Sequence, residues 1–218
     1  MKTAIVIGAS GLVGSNLVSL LLDDHRFEKI VIFTRRPSLI NHKKLKEHVI
    51  QFDSSEAFIP YVKGDVLFSA LGTTIKAAGS QANQYLVDYT YQYQFAKAAS
   101  DNGVQNFVLV SAAHASPDAY FFYSRMKGEL ERDICRLNFA HIRILKPGLL
   151  CGERSQKRPG EWIGFMALTS INRIGLFRRY RPIHGKTVAR AMINANFLNE
   201  KAHQVFELDR LFSLAANH

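Results

Sequence analysis

The hydrophobic positions of the chain form short, continuous runs separated by longer amphipathic stretches. Continuous apolar runs are typical of parallel strands that are buried on both faces of a sheet, and the stretches between them have the length and spacing of helices. The predicted strands cover residues 3–7, 29–33, 48–52, 65–70, 106–111, 141–145 and 204–208, and the predicted helices lie near residues 11–24, 80–102, 119–138 and 186–199. This alternation predicts an α/β fold with a doubly wound parallel sheet.

Residues 149–182 interrupt the alternation and are rich in arginine. We predict a single domain over residues 1–218, in which 149–182 form a small C-terminal substrate lobe at the carboxyl edge of the sheet, where ligands bind in such folds. Its aromatic residues and arginines predict a lid that admits a substrate with an apolar body and an anionic end. Alternatively, the aromatic residues form the core of the lobe and the arginines face solvent, a second copy of the chain or an acidic protein partner.

Composition narrows the class of protein. The chain has 218 residues, 47% of them hydrophobic, and a formal net charge of +10. Its apolar runs are far shorter than the roughly 20 residues that span a bilayer, so we expect a soluble protein that does not bind a membrane. The first strand starts at Lys2 or Thr3, which leaves no room for a secretory signal, and we therefore expect a cytoplasmic location. Cys135 and Cys151 fit no metal motif, and we predict no metal site.

Three glycines follow the first predicted strand and open the first helix. Gly8, Gly11 and Gly14 have the spacing of a phosphate-binding turn, in which glycines permit a tight bend, a close approach of the backbone to pyrophosphate and close packing of helix on strand. A glycine turn without a ligand is the alternative, but the order of strand, turn, helix and strand predicts a Rossmann-like nucleotide site. The predicted cofactor contacts in this turn are Gly8, Ser10, Gly11, Leu12, Val13 and Gly14.

The end of the second strand indicates which nucleotide binds. An NAD-binding chain usually has an acidic residue here for the ribose 2′-hydroxyl, whereas this chain has Thr34, Arg35 and Arg36. A guanidinium group pairs bidentately with phosphate, which favours the 2′-phosphate of NADP; two solvated arginines in a turn are the alternative. Asp53 follows the third strand, where it either meets the adenine edge or caps a helix.

Tyr123 and Lys127 lie four residues apart in the stretch YSRMK of a predicted helix. This spacing places both side chains on one helical face. An ammonium group beside a phenol favours the phenolate, so the pair can exchange a proton with a carbonyl or alcohol oxygen. The pattern alone is common, but its position after a nucleotide turn and a buried strand predicts a catalytic pair.

Several segments together resemble a known family. FTRRP, SALGTTIKAAGS, YSRMKGELE and LKPGLLCGERSQKRPGEWIG resemble the extended or atypical short-chain dehydrogenases/reductases, most closely the Tat-interacting-protein-like NADP-binding oxidoreductases. The resemblance implies that Tyr123 and Lys127 are catalytic, that Lys127 also holds the cofactor ribose, and that Pro147 and Gly148 pass beside the nicotinamide. It further implies cofactor contacts from Leu71, Gly72, Thr73 and Thr74 after the fourth strand.

The chain departs from that family at two positions. The family usually has a serine pair or triplet after the fifth strand, whereas the segment SAAHA of this chain has one serine, Ser111. Asp88 stands where extended members have asparagine. We assign Ser111 to steadying the substrate oxygen, and His114 is either a substitute donor or an ordinary loop residue. Two functions remain open: an NADP(H)-dependent oxidoreductase acting on a small carbonyl or alcohol, and a nucleotide-sensing regulator that binds a protein partner without turnover. A third reading, nucleic-acid binding, lacks a recognition motif, and we predict no nucleic-acid partner.

Overall fold

The computed structural model describes residues 1–152, 181–198 and 201–216. The described strands are Lys2–Ile7 (β1), Phe27–Thr34 (β2), Leu45–Val49 (β3), Val66–Ser69 (β4), Asn106–Val110 (β5), His141–Lys146 (β6), Leu150–Cys151 (β7), Ile183–His184 (β8) and His203–Glu207 (β9). The described helices are Leu12–Asp23 (α1), Ser55–Phe58 (α2), Ile75–Ala78 (α3), Gln81–Tyr85 (α4), Tyr91–Asp101 (α5), Phe122–Ile134 (α6), Gly185–Asn196 (α7) and Arg210–Ala216 (α8), with a 3-10 turn at Ile59–Tyr61 and a π-helical turn at Leu86–Thr90.

The main sheet is parallel throughout and has the order β3-β2-β1-β4-β5-β6-β9. The strand order reverses between β1 and β4, which creates the crevice where doubly wound sheets bind their ligands. The short strands β7 and β8 pair with each other in a second, two-stranded sheet. The predicted doubly wound, Rossmann-like fold is confirmed.

Side chains of alternating strand positions enter two separate cores, one on each face of the sheet. Along β1, Ala4 and Val6 pack with α1, α7 and α8, whereas Ile5 and Ile7 pack with α5 and α6. All four residues are 0% exposed. Burial on both faces therefore explains why the strands of this sheet appear in the sequence as unbroken apolar runs.

The third strand is the clearest difference from the sequence prediction. It covers Leu45–Val49 rather than residues 48–52. It pairs with β2 up to the couple Thr34 and Val49, and β2 ends there, so a longer β3 would have no partner. Because β3 is an edge strand with half-exposed side chains, its sequence lacks the apolar continuity of the inner strands.

Two further features concern the predicted lobe and the helices. Most of residues 149–182, including five of the six lobe arginines, lie outside the described residues. Arg181 is described, and its guanidinium lies 3.6 Å from the centre of the Phe212 ring in α8. In the parts of the chain that the structure describes, no helix combines the length and the apolar character needed to cross a membrane.

Candidate functional site

A cleft of about 1710 Å³ opens at the carboxyl edge of the sheet. The turns that follow β1, β2, β4, β5 and β6 all contribute to it, together with α6. Sixteen of the predicted site residues line this cleft: Ser10, Gly11, Leu12, Val13, Thr34, Arg35, Arg36, Leu71, Gly72, Thr73, Thr74, Ser111, Tyr123, Lys127, Pro147 and Gly148. Its volume exceeds the upper end, about 1,000 Å³, of ordinary small-molecule pockets, as expected of a site for a ligand as large as a dinucleotide.

The glycine turn has the form that a bound pyrophosphate requires. A Cβ atom on Gly14 would lie 2.0 Å from the Gly8 carbonyl oxygen, and Gly8 itself has a φ of +81°. These two glycines therefore provide close packing and a bend, and neither lines the cleft. Gly11 does line it, as the N-cap of α1, and no side chain caps the amide groups there. Uncapped amides at a helix N-terminus suit an anion.

The loop after β2 is held in place by a carboxylate beneath it. Glu47 of β3 accepts hydrogen bonds from the Thr34 hydroxyl at 2.7 Å and from the Ser38 amide at 2.9 Å. The Thr34 hydroxyl therefore anchors the start of this loop to β3. Arg35 and Arg36 lie between these anchor points, exposed and on the wall of the cleft.

Asp53 does not line the cleft. Its carboxylate accepts a hydrogen bond from the Tyr91 hydroxyl in α5. The structure thus gives Asp53 a contact that links the segment after β3 to α5, and neither of the two roles considered from the sequence is needed to explain its position.

A π-helical turn brings Asp88 into the cleft beneath the predicted catalytic pair. The turn Leu86–Thr90 joins α4 to α5, and π-turns of this kind are frequent at functional sites. Asp88 is 1% exposed; it accepts a hydrogen bond from the Thr73 amide at 2.7 Å and contacts the Lys127 ammonium at 3.2 Å. Burial is the largest single effect and lowers the pKa of Lys127, but Asp88, Tyr123 and Glu131 together more than offset burial, so the pKa of Lys127 is raised. Lys127 therefore stays charged.

We expect Lys127→Met to lower the free energy of unfolding by about 3 kcal/mol, because it leaves the buried Asp88 carboxylate without its cation. Urea denaturation measures this loss. The double variant Asp88→Asn/Lys127→Met should recover part of it, since no lone charge remains. The control is Lys97→Met, which breaks a pair whose two side chains are 56% and 59% exposed; it should have no measurable effect. Equal losses in the two single variants would contradict the interpretation.

Ser111 is buried and bonded to a residue that we did not predict. Its hydroxyl donates a hydrogen bond to Glu131 in α6. The other carboxylate oxygen of Glu131 lies 2.9 Å from the Lys146 ammonium, which also donates to the Ala115 carbonyl at 3.0 Å. Helix α6 also packs closely against the loop after β5, because a Cβ atom on Gly128 would lie 2.0 Å from the Ser116 backbone.

Sequence reasoning missed Glu47, Glu131 and Lys146. Glu131 lies four residues after Lys127, on the same face of α6 as the catalytic pair, and this spacing was a signal that could have found it. Glu47 and Lys146 lie on strands, and no local pattern shows that their side chains meet residues far away in the chain.

His114 and three tyrosines complete the surroundings of the site. His114 lines the cleft with a φ of 60°, a conformation that histidine tolerates better than most residues. Tyr85, Tyr89 and Tyr93 stack on one another. The hydroxyls of the first two donate to Glu129 and Asp133 of α6. Tyr85 and Tyr89 therefore join α4 and the π-helical turn to α6. Among the described residues, no group of three or more candidate ligands is arranged to hold a metal ion.

Comparison with known proteins shows sequence relatives along most of the chain. A family described as NAD(P)H-binding matches residues 8–137. The mitochondrial protein FMP52 of Saccharomyces cerevisiae is 34% identical over 197 residues, which cover 87% of this chain and 85% of the relative. FMP52 of Candida albicans, also named mitochondrial, is 40% identical over 156 residues, covering 69% of this chain and 68% of the relative.

Solved structures agree on the fold. The Bordetella bronchiseptica enzyme WbmH, in complex with NAD+, matches with a TM-score of 0.72 over 95% of this chain and 75% of that chain, at 18% identity. An identity this low shows the fold alone.

The relatives also correct one expectation. The cytoplasmic location predicted from the sequence is wrong, because relatives over most of the chain are named mitochondrial. The prediction rested on the lack of room for a secretory signal, and that observation bears on secretion only. It does not distinguish between compartments inside a cell.

Proposed function

The chain belongs to the NAD(P)H-binding family and is a relative of the FMP52 proteins. We propose that it is an NADP(H)-dependent oxidoreductase of the short-chain dehydrogenase/reductase type, acting on a small carbonyl or alcohol. The observation that carries this proposal is that Tyr123 and Lys127 line the same cleft as the glycine turn. The resemblance to the Tat-interacting-protein-like NADP-binding oxidoreductases supports it.

The described residues fit a dinucleotide. The Gly8 to Gly14 turn and the uncapped N-terminus of α1 suit the pyrophosphate, and Gly72 to Thr74 also line the cleft. Arg35 and Arg36 suit a 2′-phosphate, which favours NADP over NAD. When bound, the cofactor supplies a hydride for the carbonyl carbon, or accepts one from the alcohol carbon.

The chain's own groups then manage the proton and the substrate oxygen. Tyr123 is 41% exposed, so its hydroxyl is accessible to a substrate in the cleft. Lys127 is 3% exposed one helical turn further on, where its ammonium group pairs with the Asp88 carboxylate. A fixed ammonium group stabilises negative charge on the phenol oxygen as Tyr123 gives up its proton. Ser111 lines the same cleft and would steady the substrate oxygen.

One observation favours a second function. The Ser111 hydroxyl is bonded to Glu131 and the Lys127 ammonium to Asp88, so two of the three proposed catalytic groups have internal partners. Such internal bonds suit groups with a structural role. They therefore favour a nucleotide-sensing regulator, which binds NADP(H) and a protein partner without turnover and needs no catalytic groups.

A two-stage experiment tests the proposed function. Calorimetric titration with NADPH, NADP+, NADH and NAD+ is expected to show tighter binding of the phosphorylated pair. The oxidation of NADPH is then followed with a panel of small aldehydes and ketones, including some with an apolar body and an anionic end. Turnover of any member supports the oxidoreductase. Tight binding of NADPH without turnover of any carbonyl compound, or of the matching alcohols with NADP+, supports the regulator. Failure to bind any of the four nucleotides would contradict both.

A further inference from the structure

A buried chain of polar groups runs from the floor of the cleft into the protein. It begins at Ser111, which is 5% exposed, passes through Glu131 and ends at Lys146. The Glu131 and Lys146 side chains are 13% and 11% exposed. Burial of two ionisable groups costs free energy that apolar residues would not cost, and the oxidoreductase mechanism described above makes no use of them.

The hydroxyl of Ser111 carries a single proton, which decides what this residue can do. An ionised glutamate only accepts hydrogen bonds, whereas a protonated one also donates. While Glu131 is a carboxylate, it holds the Ser111 proton, and Ser111 offers the cleft lone pairs only. A serine in that state cannot donate a hydrogen bond to a substrate oxygen.

We propose that Glu131 is a positioning residue that sets the direction of the Ser111 hydroxyl. In its protonated form, the Glu131 carboxyl donates to Ser111 Oγ, and Ser111 then turns its own proton toward the substrate oxygen in the cleft. In its ionised form, the Glu131 carboxylate accepts a hydrogen bond from the Ser111 hydroxyl, whose proton then no longer points toward the substrate oxygen. This inference rests on the proposed oxidoreductase function and names the state in which Ser111 takes part.

The groups around Glu131 allow both forms. Burial raises the pKa of Glu131, while the Ser111 hydroxyl and the ammonium groups of Lys146 and Lys127 offset part of that rise. Cys135, at the C-terminal end of α6, also lies near the carboxylate, and its thiol pKa is raised by burial and by Glu131. Behind Lys146, Glu207 of β9 approaches the ammonium to 4.0 Å and is 46% exposed. The row of side chains from Glu131 through Lys146 to Glu207 therefore reaches the protein surface.

Infrared difference spectroscopy over a pH titration, on the full chain without substrate or cofactor, tests the coupling directly. Subtracting the spectra of Glu131→Gln isolates the carbonyl stretch of the protonated Glu131 carboxyl. Ser111→Ala removes a donor to the carboxylate, and Lys146→Met removes its nearest cation, so each should move the midpoint to higher pH. An unchanged midpoint in Ser111→Ala overturns the proposal. If Glu131→Gln fails to fold, Lys146→Met replaces it in assigning the band. This variant keeps the Glu131 carboxyl, so the band whose midpoint differs between wild type and Lys146→Met is the one to follow in Ser111→Ala.

Turnover provides the second readout. In the wild type, kcat/KM for carbonyl reduction should fall as pH rises through the Glu131 midpoint, by about tenfold for each pH unit, as for the loss of one required proton. Glu131→Gln should lack this decline, because its amide donates to Ser111 Oγ at every pH. A decline that persists in Glu131→Gln at the Glu131 midpoint found by infrared spectroscopy overturns the proposal, whereas a decline at a different, higher pH reports the Tyr123 proton. If NADPH binds normally and no variant turns over any carbonyl compound, the oxidoreductase function fails, whereas the infrared midpoints still decide the coupling.

Discussion

Replacing both arginines of the loop after β2, in Arg35→Gln/Arg36→Gln, is expected to abolish the preference for NADP(H) over NAD(H). A charge-assisted hydrogen bond contributes about 1.5 to 3 kcal/mol. Loss of two such bonds to the 2′-phosphate therefore weakens NADPH binding by about 3 to 6 kcal/mol, or about 10²- to 10⁴-fold. NADH has no 2′-phosphate, so its affinity should not change. Calorimetric titration of the wild type and the double variant with NADPH and with NADH measures the effect.

The control for this experiment changes net charge by the same amount elsewhere. Arg132→Gln/Arg136→Gln removes two positive charges, one on α6 and one just after it, from side chains that are 46% and 72% exposed and do not line the cleft. It should retain the preference. If both double variants lose it equally, the effect arises from the overall charge of the protein. Equal affinity of the wild type for the two cofactors would remove the basis for assigning NADP.

Tyr123→Phe is expected to lower turnover by about 10²- to 10⁴-fold, the usual contribution of a positioned general acid or base. The affinity for NADPH should stay within a few-fold of the wild-type value, because the phenol acts on the substrate oxygen. Steady-state kinetics and calorimetric titration separate the two effects. A loss of turnover that reflected unfolding would also abolish cofactor binding.

Tyr120→Phe is the matched control for the removal of one phenol hydroxyl. Tyr120 is 89% exposed, lies three residues before Tyr123 and does not line the cleft. It should keep the wild-type rate. A normal rate of carbonyl reduction in Tyr123→Phe would show that another group donates the proton, and the Ser111 and Glu131 pair would be the first to test.

The fold could be predicted from sequence where burial is uniform. Strands such as β1 and β5 are covered on both faces, so their apolar runs carry the signal by themselves. Edge strand β3 lies half in solvent, and its bounds follow from its pairing with β2, which the local sequence does not encode. The two-residue strands β7 and β8 pair across more than thirty positions of the chain, and neither is long enough to produce a pattern.

The candidate site divides in a similar way. The glycine turn and the Tyr123 and Lys127 pair depend on spacing within one element, so their placement in one cleft could be predicted from sequence. The ion pair of Lys127 with Asp88 depends on a π-helical turn. The sequence pattern predicts one continuous helix near residues 80–102 and does not indicate where that turn lies. The bond from Ser111 to Glu131 joins a loop to a helix, and only the packed structure brings them together.

Glu47 of β3 holds the loop that carries Arg35 and Arg36, and this contact bears on how well the two arginines predict cofactor preference in related proteins. Glu47 fastens both ends of the segment that carries Arg35 and Arg36. The conformational entropy of that segment is thus lost during folding, and less is lost when the nucleotide arrives. On the proposed function, selectivity for NADP(H) is therefore a joint property of β2 and β3. A relative that keeps the two arginines but has lost the acidic residue on its edge strand would have the charges without the preorganisation, and the arginine pair alone would be an unreliable marker of its cofactor.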